Sequence, residues 1–135
     1  MIKLFYGPKG SGKTKKIIGS ANDALDICTG SIAYITDVAE HSKDVKNEIR
    51  FFDVKDFGGK FSEDKFTGYI CGIIASNSDI KRVYIDGLCR ITRAAEELEE
   101  FIIGLEKISK DNGFDLYLSV SCDKLPAFFK KYADK

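Results

Sequence analysis

The sequence predicts an α/β protein, a three-layer α/β/α sandwich built on a five-stranded parallel sheet. Three observations carry that expectation. Short apolar runs rich in β-branched residues alternate with segments of helical spacing along the whole 135 residues. A glycine-rich stretch, Gly7-Pro8-Lys9-Gly10-Ser11-Gly12-Lys13-Thr14, joins the first apolar run to the first helical segment. Hydrophobic residues at 44% and charged residues at 31% suit a chain that buries one core. With no repeat, low-complexity tract or linker, residues 1–135 are expected to form a single domain.

Ile2 to Tyr6 reads as a buried strand that ends at the glycine-rich loop. From Lys13 to about Cys28, Ile17, Ile18, Ala21, Ala24, Leu25 and Cys28 recur at helical spacing, and Gly30 is expected to close the helix. Ser31 to Thr36 is a second strand, a short polar helix follows over roughly Glu40 to Glu48, and Ile49 to Val54 is a third strand. Ser62, with Glu63 and Asp64 behind it, marks a helix start, and that helix ends at Asn77. Arg82 to Asp86 is the fourth strand. Thr92 is expected to cap the longest helix, whose apolar face is Leu98, Phe101, Ile102, Leu105 and Ile108. Asn112-Gly113 ends it in a left-handed cap, Phe114 to Val120 is the fifth strand, and Pro126 opens a last helix in its first turn.

The stretch Gly7 to Thr14 matches G-x-x-x-x-G-K-[ST], the phosphate-binding loop, with a strand before it and a helix after it. Glycines let backbone N–H groups converge on phosphate oxygens, and the following helix turns its positive end to them. Lys13 would reach the β- and γ-phosphates, and the Thr14 hydroxyl would help hold Mg²⁺. Gly7, Pro8, Lys9, Gly10, Ser11, Gly12, Lys13 and Thr14 are therefore the candidate nucleotide-binding residues. Asp86 ends the apolar run Val83-Tyr84-Ile85 at the carboxyl end of the fourth strand, where ligands bind in parallel sheets. It is the second candidate ligand of the metal, and the next residue is Gly87.

Lys plus Arg and Asp plus Glu balance at 21 each, which argues against a dedicated nucleic-acid partner. No apolar run approaches membrane-spanning length, and the N-terminus leads straight into the first strand, so a cytoplasmic protein without a leader is expected. Cys28, Cys71, Cys89 and Cys122 form no paired motif and read as small core residues in a reducing compartment. His41, the single histidine, reads as a solvated loop or helix-start residue.

From Tyr84-Ile85-Asp86-Gly87-Leu88 through a long helix to Asn112-Gly113 and Leu116 to Ser121, the chain resembles the RecA-like ATPases among the P-loop NTPases. The resemblance implies the strand order 3-2-4-5-1, ATP with Mg²⁺ as ligands, and Asp86 as the Walker B carboxylate. It also implies a water-activating carboxylate just beyond the second strand. Glu40 matches that role in residue type and Asp37 is nearer the strand end, while both also suit the first turn of a helix. A polar residue ending the fifth strand would sense the γ-phosphate, and Ser121 and Asp123 are the candidates; either also suits a helix cap. Arg90 and Arg93 are candidates for arginine fingers between copies of a homo-oligomer, for contacts to a polyanion, or for solvated helix-start residues. The recombinases and helicases of that family carry further strands and DNA-binding loops that this sequence lacks.

The function implied is a small ATPase or nucleotide switch acting with an unidentified protein partner. Two alternatives stand beside it. Phe5-Tyr6-Gly7-Pro8 through Thr14 also resembles thymidine kinases, but their paired-cysteine zinc lobe and the Glu after the Walker B Asp are not in this sequence, and four arginines leave little for a kinase lid. The other is a regulator that binds nucleotide without turnover.

Overall fold

A computed structural model describes residues 1–133. Five parallel strands, β1 (Ile2–Gly7), β2 (Ser31–Thr36), β3 (Arg50–Asp53), β4 (Ile80–Asp86) and β5 (Asp115–Ser121), form one sheet in the order β1-β5-β4-β2-β3. The helices are α1 (Lys13–Ala24), α2 (Glu63–Ser76), α3 (Leu88–Ile91), α4 (Glu99–Asn112) and α5 (Lys130–Ala133). No helix among the described residues is long and apolar enough to cross a membrane.

Strand alternation divides the core in two. On one face Leu4, Ala33, Ile35, Val83, Ile85, Leu116, Leu118 and Val120 meet Phe66 and Ile70 of α2, Phe101, Ile102 and Leu105 of α4, and Tyr132 of α5. On the other, Ile32, Tyr34, Tyr84 and Tyr117 meet Ile17, Ile18, Ala21 and Ala24 of α1 together with Val45 and Ile49. That second face carries an aromatic row in register across four strands: Phe51, Tyr34, Tyr84 and Tyr117 are successive partners in the ladder. Their rings stack at 5.9, 6.4 and 4.4 Å between centroids, which ties β3, β2, β4 and β5 together. Burial pushes the Tyr34 phenol far above its ordinary pKa.

Helix ends follow local chemistry. The Ser62 hydroxyl accepts from Lys65 N at 3.2 Å, and Glu63 and Asp64 occupy the first turn of α2. Gly113, at φ 68°, closes α4. Several expectations are corrected. Helix α1 stops at Ala24, because Leu25, Asp26 and Ile27 donate to carbonyls three residues back and tighten the end into a turn well before Gly30. The expected helix over 40–48 is only a 3₁₀ turn, Ala39–Lys43, since Val45 and Ile49 are drawn into the core beneath α1. Thr92 does not cap the long helix. It closes α3, with its hydroxyl donating to Leu88 O at 2.7 Å, and α4 begins at Glu99 after a second 3₁₀ turn, Ala95–Glu97. Pro126 precedes a 3₁₀ turn, Ala127–Phe129, rather than an α-helical first turn. Cys71 is exposed on α2, not a core residue, while Cys28, Cys89 and Cys122 are half-buried.

Candidate functional site

All five strands point their carboxyl ends to one edge, where the β1–α1 loop, Asp86 and the end of β5 converge. The loop owes its path to glycine. Gly10 and Gly12 stand at φ 81° and 86°, left-handed backbone that other residues rarely adopt, and Gly12 leads directly into α1. A side chain at Gly7 would meet Ser11 Oγ at 2.8 Å, so the loop can close on itself only with glycine there. Ser11 N donates to Pro8 O at 3.2 Å, and Cys122 N donates to Gly7 O at 3.1 Å, which moors the loop to the end of β5. Lys13 Nζ donates to Pro8 O at 2.9 Å. That neutral carbonyl is a weaker partner than a charged phosphate oxygen.

The centre of the site is Asp86, 1% exposed at the end of β4. A buried carboxylate needs partners, and it has them. Ser119 Oγ donates to its Oδ1 at 2.6 Å and itself accepts from Gly87 N at 2.8 Å. Thr14 Oγ1 donates to Oδ2 at 3.2 Å from the first turn of α1. His41 Nδ1 lies 3.5 Å from Oδ2, brought there by the 3₁₀ turn after β2, and this buried nitrogen has no hydrogen bond among the described residues. The expectation of a solvated His41 is corrected: its ring packs against the carboxylate.

A cleft of about 350 Å³ opens over this centre, lined by Lys9, Gly10, Gly12, Lys13, Thr14, Asp86 and Ser121, with Arg90. The candidate residues that the fold gathers are therefore these, with Gly7, Pro8 and Ser11 shaping the loop behind them. Others stand elsewhere. Glu40 is exposed on the 3₁₀ turn and is not among the residues lining the cleft. Asp37 is near it but committed, because both its oxygens accept from Arg90 at 2.8 to 3.1 Å. Those hydrogen bonds hold the Arg90 guanidinium more firmly protonated. Asp123 is exposed beyond β5. Arg93 pairs with Glu63 at the start of α2, with Nη2 3.3 Å from Oε2.

Sequence reasoning passed over Ser119 and misplaced His41. Ser119 carried a signal: it is the one small polar residue within Leu116-Tyr117-Leu118-Ser119-Val120, on the strand expected next to the Asp86 strand. His41 carried none, because its approach to Asp86 depends on a turn that the local sequence does not announce.

Thr14 and Asp86 offer one hydroxyl and one carboxylate to a cation. Among the described residues no group of three or more His, Cys, Asp or Glu side chains could hold a metal. This set does not cage an ion by itself, but it fits Mg²⁺, which keeps several waters and takes its remaining ligands from substrate phosphates. No protein-family model matches this chain, and no curated sequence matches it.

Proposed function

We propose that this chain is a small ATP-binding protein that takes Mg²⁺ with the nucleotide, an ATPase or nucleotide switch working with a protein partner. The observation that carries the reading is the meeting of Thr14 and Asp86, 72 residues apart in sequence, with oxygens 3.2 Å apart at the mouth of a glycine loop. Lys13 follows that loop and a helix N-terminus faces the same cleft, so positive groups answer the phosphates and the Thr14–Asp86 pair answers the ion. The sheet order read from β3, 3-2-4-5-1, is the one that the resemblance to RecA-like ATPases implies, and it adds support. When bound, the ion would neutralise charge on the phosphates; the chain's own residues bind, orient and shield them.

Calorimetric titration of ATP with and without Mg²⁺ tests the assignment. Wild type should gain about tenfold or more in affinity from Mg²⁺, a gain absent from Thr14→Ala and Asp86→Ala. A full Mg²⁺ effect surviving in both variants would overturn it.

A second reading, a switch without turnover, is favoured by where the carboxylates stand: Asp37 is held by Arg90 and Glu40 faces solvent. Phosphate release separates the two. Turnover lost in Glu40→Gln with binding intact would decide for hydrolysis, and turnover lost instead in Asp37→Asn would move the water-activating role to Asp37.

A further inference from the structure

Arg90 belongs to the cleft of its own chain. It stands in the short helix that follows Asp86 and lines the same space as Lys13 and Thr14. Its side chain is 36% exposed, and the Asp37 carboxylate that holds it is 15% exposed. The pairing is fork to fork: Nε reaches both carboxylate oxygens at 3.1 and 3.0 Å, and Nη2 reaches Oδ1 at 2.8 Å. Carboxylate and phosphate are the two anions that this planar fork fits bidentately.

Gly87 shows that room is reserved for the pair. A Cβ there would lie 2.2 Å from Arg90 Nη2 and 2.9 Å from Asp37 Oδ1, and the backbone stands at φ +88°. A side chain at the position after Asp86, a glutamate included, would strain the backbone and displace the joined Arg90 and Asp37 from where they stand. Asp37 itself directly follows β2 and leads into the turn that carries His41 to Asp86. One ion pair therefore connects the phosphate cleft to the β2 loop.

We propose that Arg90 reads the terminal phosphate of a triphosphate in cis, and that Asp37 occupies its fork until that phosphate arrives. This rests on the nucleotide reading above and names the regulation of the same site. A γ-phosphate bears more charge than a carboxylate and competes for the guanidinium, whereas a diphosphate ends at the Lys13 side of the cleft. Exchange of the fork from Asp37 to phosphate releases the segment 37–41, so the β2 loop differs between triphosphate- and diphosphate-bound protein. Arg90 is then the residue that distinguishes ATP from ADP.

The test is calorimetry with Mg²⁺-ATP and Mg²⁺-ADP on wild type, Arg90→Ala, Arg90→Lys and Asp37→Asn, with Lys13→Ala alongside. Arg90→Ala should weaken ATP about tenfold or more and leave ADP within about twofold, the size expected for one charge-assisted bidentate contact. Arg90→Lys, which keeps the charge and loses the fork, should recover only part of that. Asp37→Asn should tighten ATP several-fold, about three- to tenfold, without changing ADP, because the competing carboxylate is gone. A measurement on wild type stands apart from any folding defect: the Arg90 Nε–H resonance should shift with a non-hydrolysable ATP analogue and stay in place with ADP. Equal losses of ATP and ADP in Arg90→Ala, or an Arg90 resonance indifferent to the analogue, would overturn the inference while leaving the nucleotide site standing. ATP binding unchanged in Lys13→Ala would remove the nucleotide site and the inference with it.

Discussion

Removing the Ser119 hydroxyl isolates what the buried polar knot beneath the cleft contributes. In Ser119→Ala, two groups lose a partner at once: the Asp86 carboxylate, 1% exposed, loses a donor at 2.6 Å, and Gly87 N, in a buried bond, loses its acceptor at 2.8 Å. A buried donor left unmade costs about 1–3 kcal/mol, and a hydrogen bond to a charged group contributes about 1.5–3 kcal/mol. Thr14 still donates to Asp86, so the carboxylate is not stranded, and the sum is placed near the lower ends, at about 3 kcal/mol. For a chain of this size that corresponds to a melting temperature lower by roughly 10 °C. Urea unfolding followed by circular dichroism reads the change directly. In an Asp86→Ala background the same substitution should cost only the Gly87 share, about 1–2 kcal/mol, so the double-mutant cycle yields a coupling of about 1–2 kcal/mol. A loss below about 0.5 kcal/mol in wild type, or full additivity in the cycle, would refute the reasoning that Ser119 is the group that keeps Asp86 paired.

Further outcomes follow from the same structure. A Cβ at Gly30 would meet the Asp79 carbonyl at 2.3 Å, and that carbonyl accepts from Ser31 N at the start of β2, so Gly30→Ala should cost about 2 kcal/mol in urea unfolding. Gly19, inside α1, has nothing within 4 Å of its Cβ position, so Gly19→Ala should instead gain about 0.5–1 kcal/mol. The four thiols should alkylate in order of access: Cys71, exposed on α2, first, and Cys89, whose thiol burial pushes up in pKa, among the slowest, with mass spectrometry of the labelled peptides as the readout. In denaturant the four should react alike.

How much of this was legible in the sequence depends on how local the cause is. The glycine loop is a contiguous motif in which each residue type answers a backbone or charge requirement, so it could be read directly. The parallel sheet was legible because Ile32 to Ile35, Val83 to Ile85 and Leu116 to Val120 are short apolar runs with helical patterns between them, the mark of strands covered on both faces. The start of α2 at Ser62 and the end of α4 at Gly113 were legible for the same reason, since a cap is decided within a few residues. What failed were segments governed by distant packing. The stretch 39–49 has polar residues that suit a helix, but Val45 and Ile49 gain more by filling the space beneath α1. Thr92 looks like an N-cap, yet Leu88, Ile91, Ala95 and Leu98 are all buried and fold the chain into two compact turns before α4 can begin. The site divides in the same way. Lys13, Thr14 and Asp86 could be named from spacing, while the Asp37–Arg90 pair, 53 residues apart, and the approach of His41 to Asp86 come into being only when β2 lies beside β4.

The most direct test of the central claim is calorimetric titration of Mg²⁺-ATP into wild type and Lys13→Ala, with both proteins shown to unfold at the same urea concentration. Wild type should bind one nucleotide saturably, and the variant should lose about thirtyfold or more in affinity, since Lys13 is exchanged from the Pro8 carbonyl to phosphate. Equal affinity in the two proteins, or no binding to wild type, would contradict it.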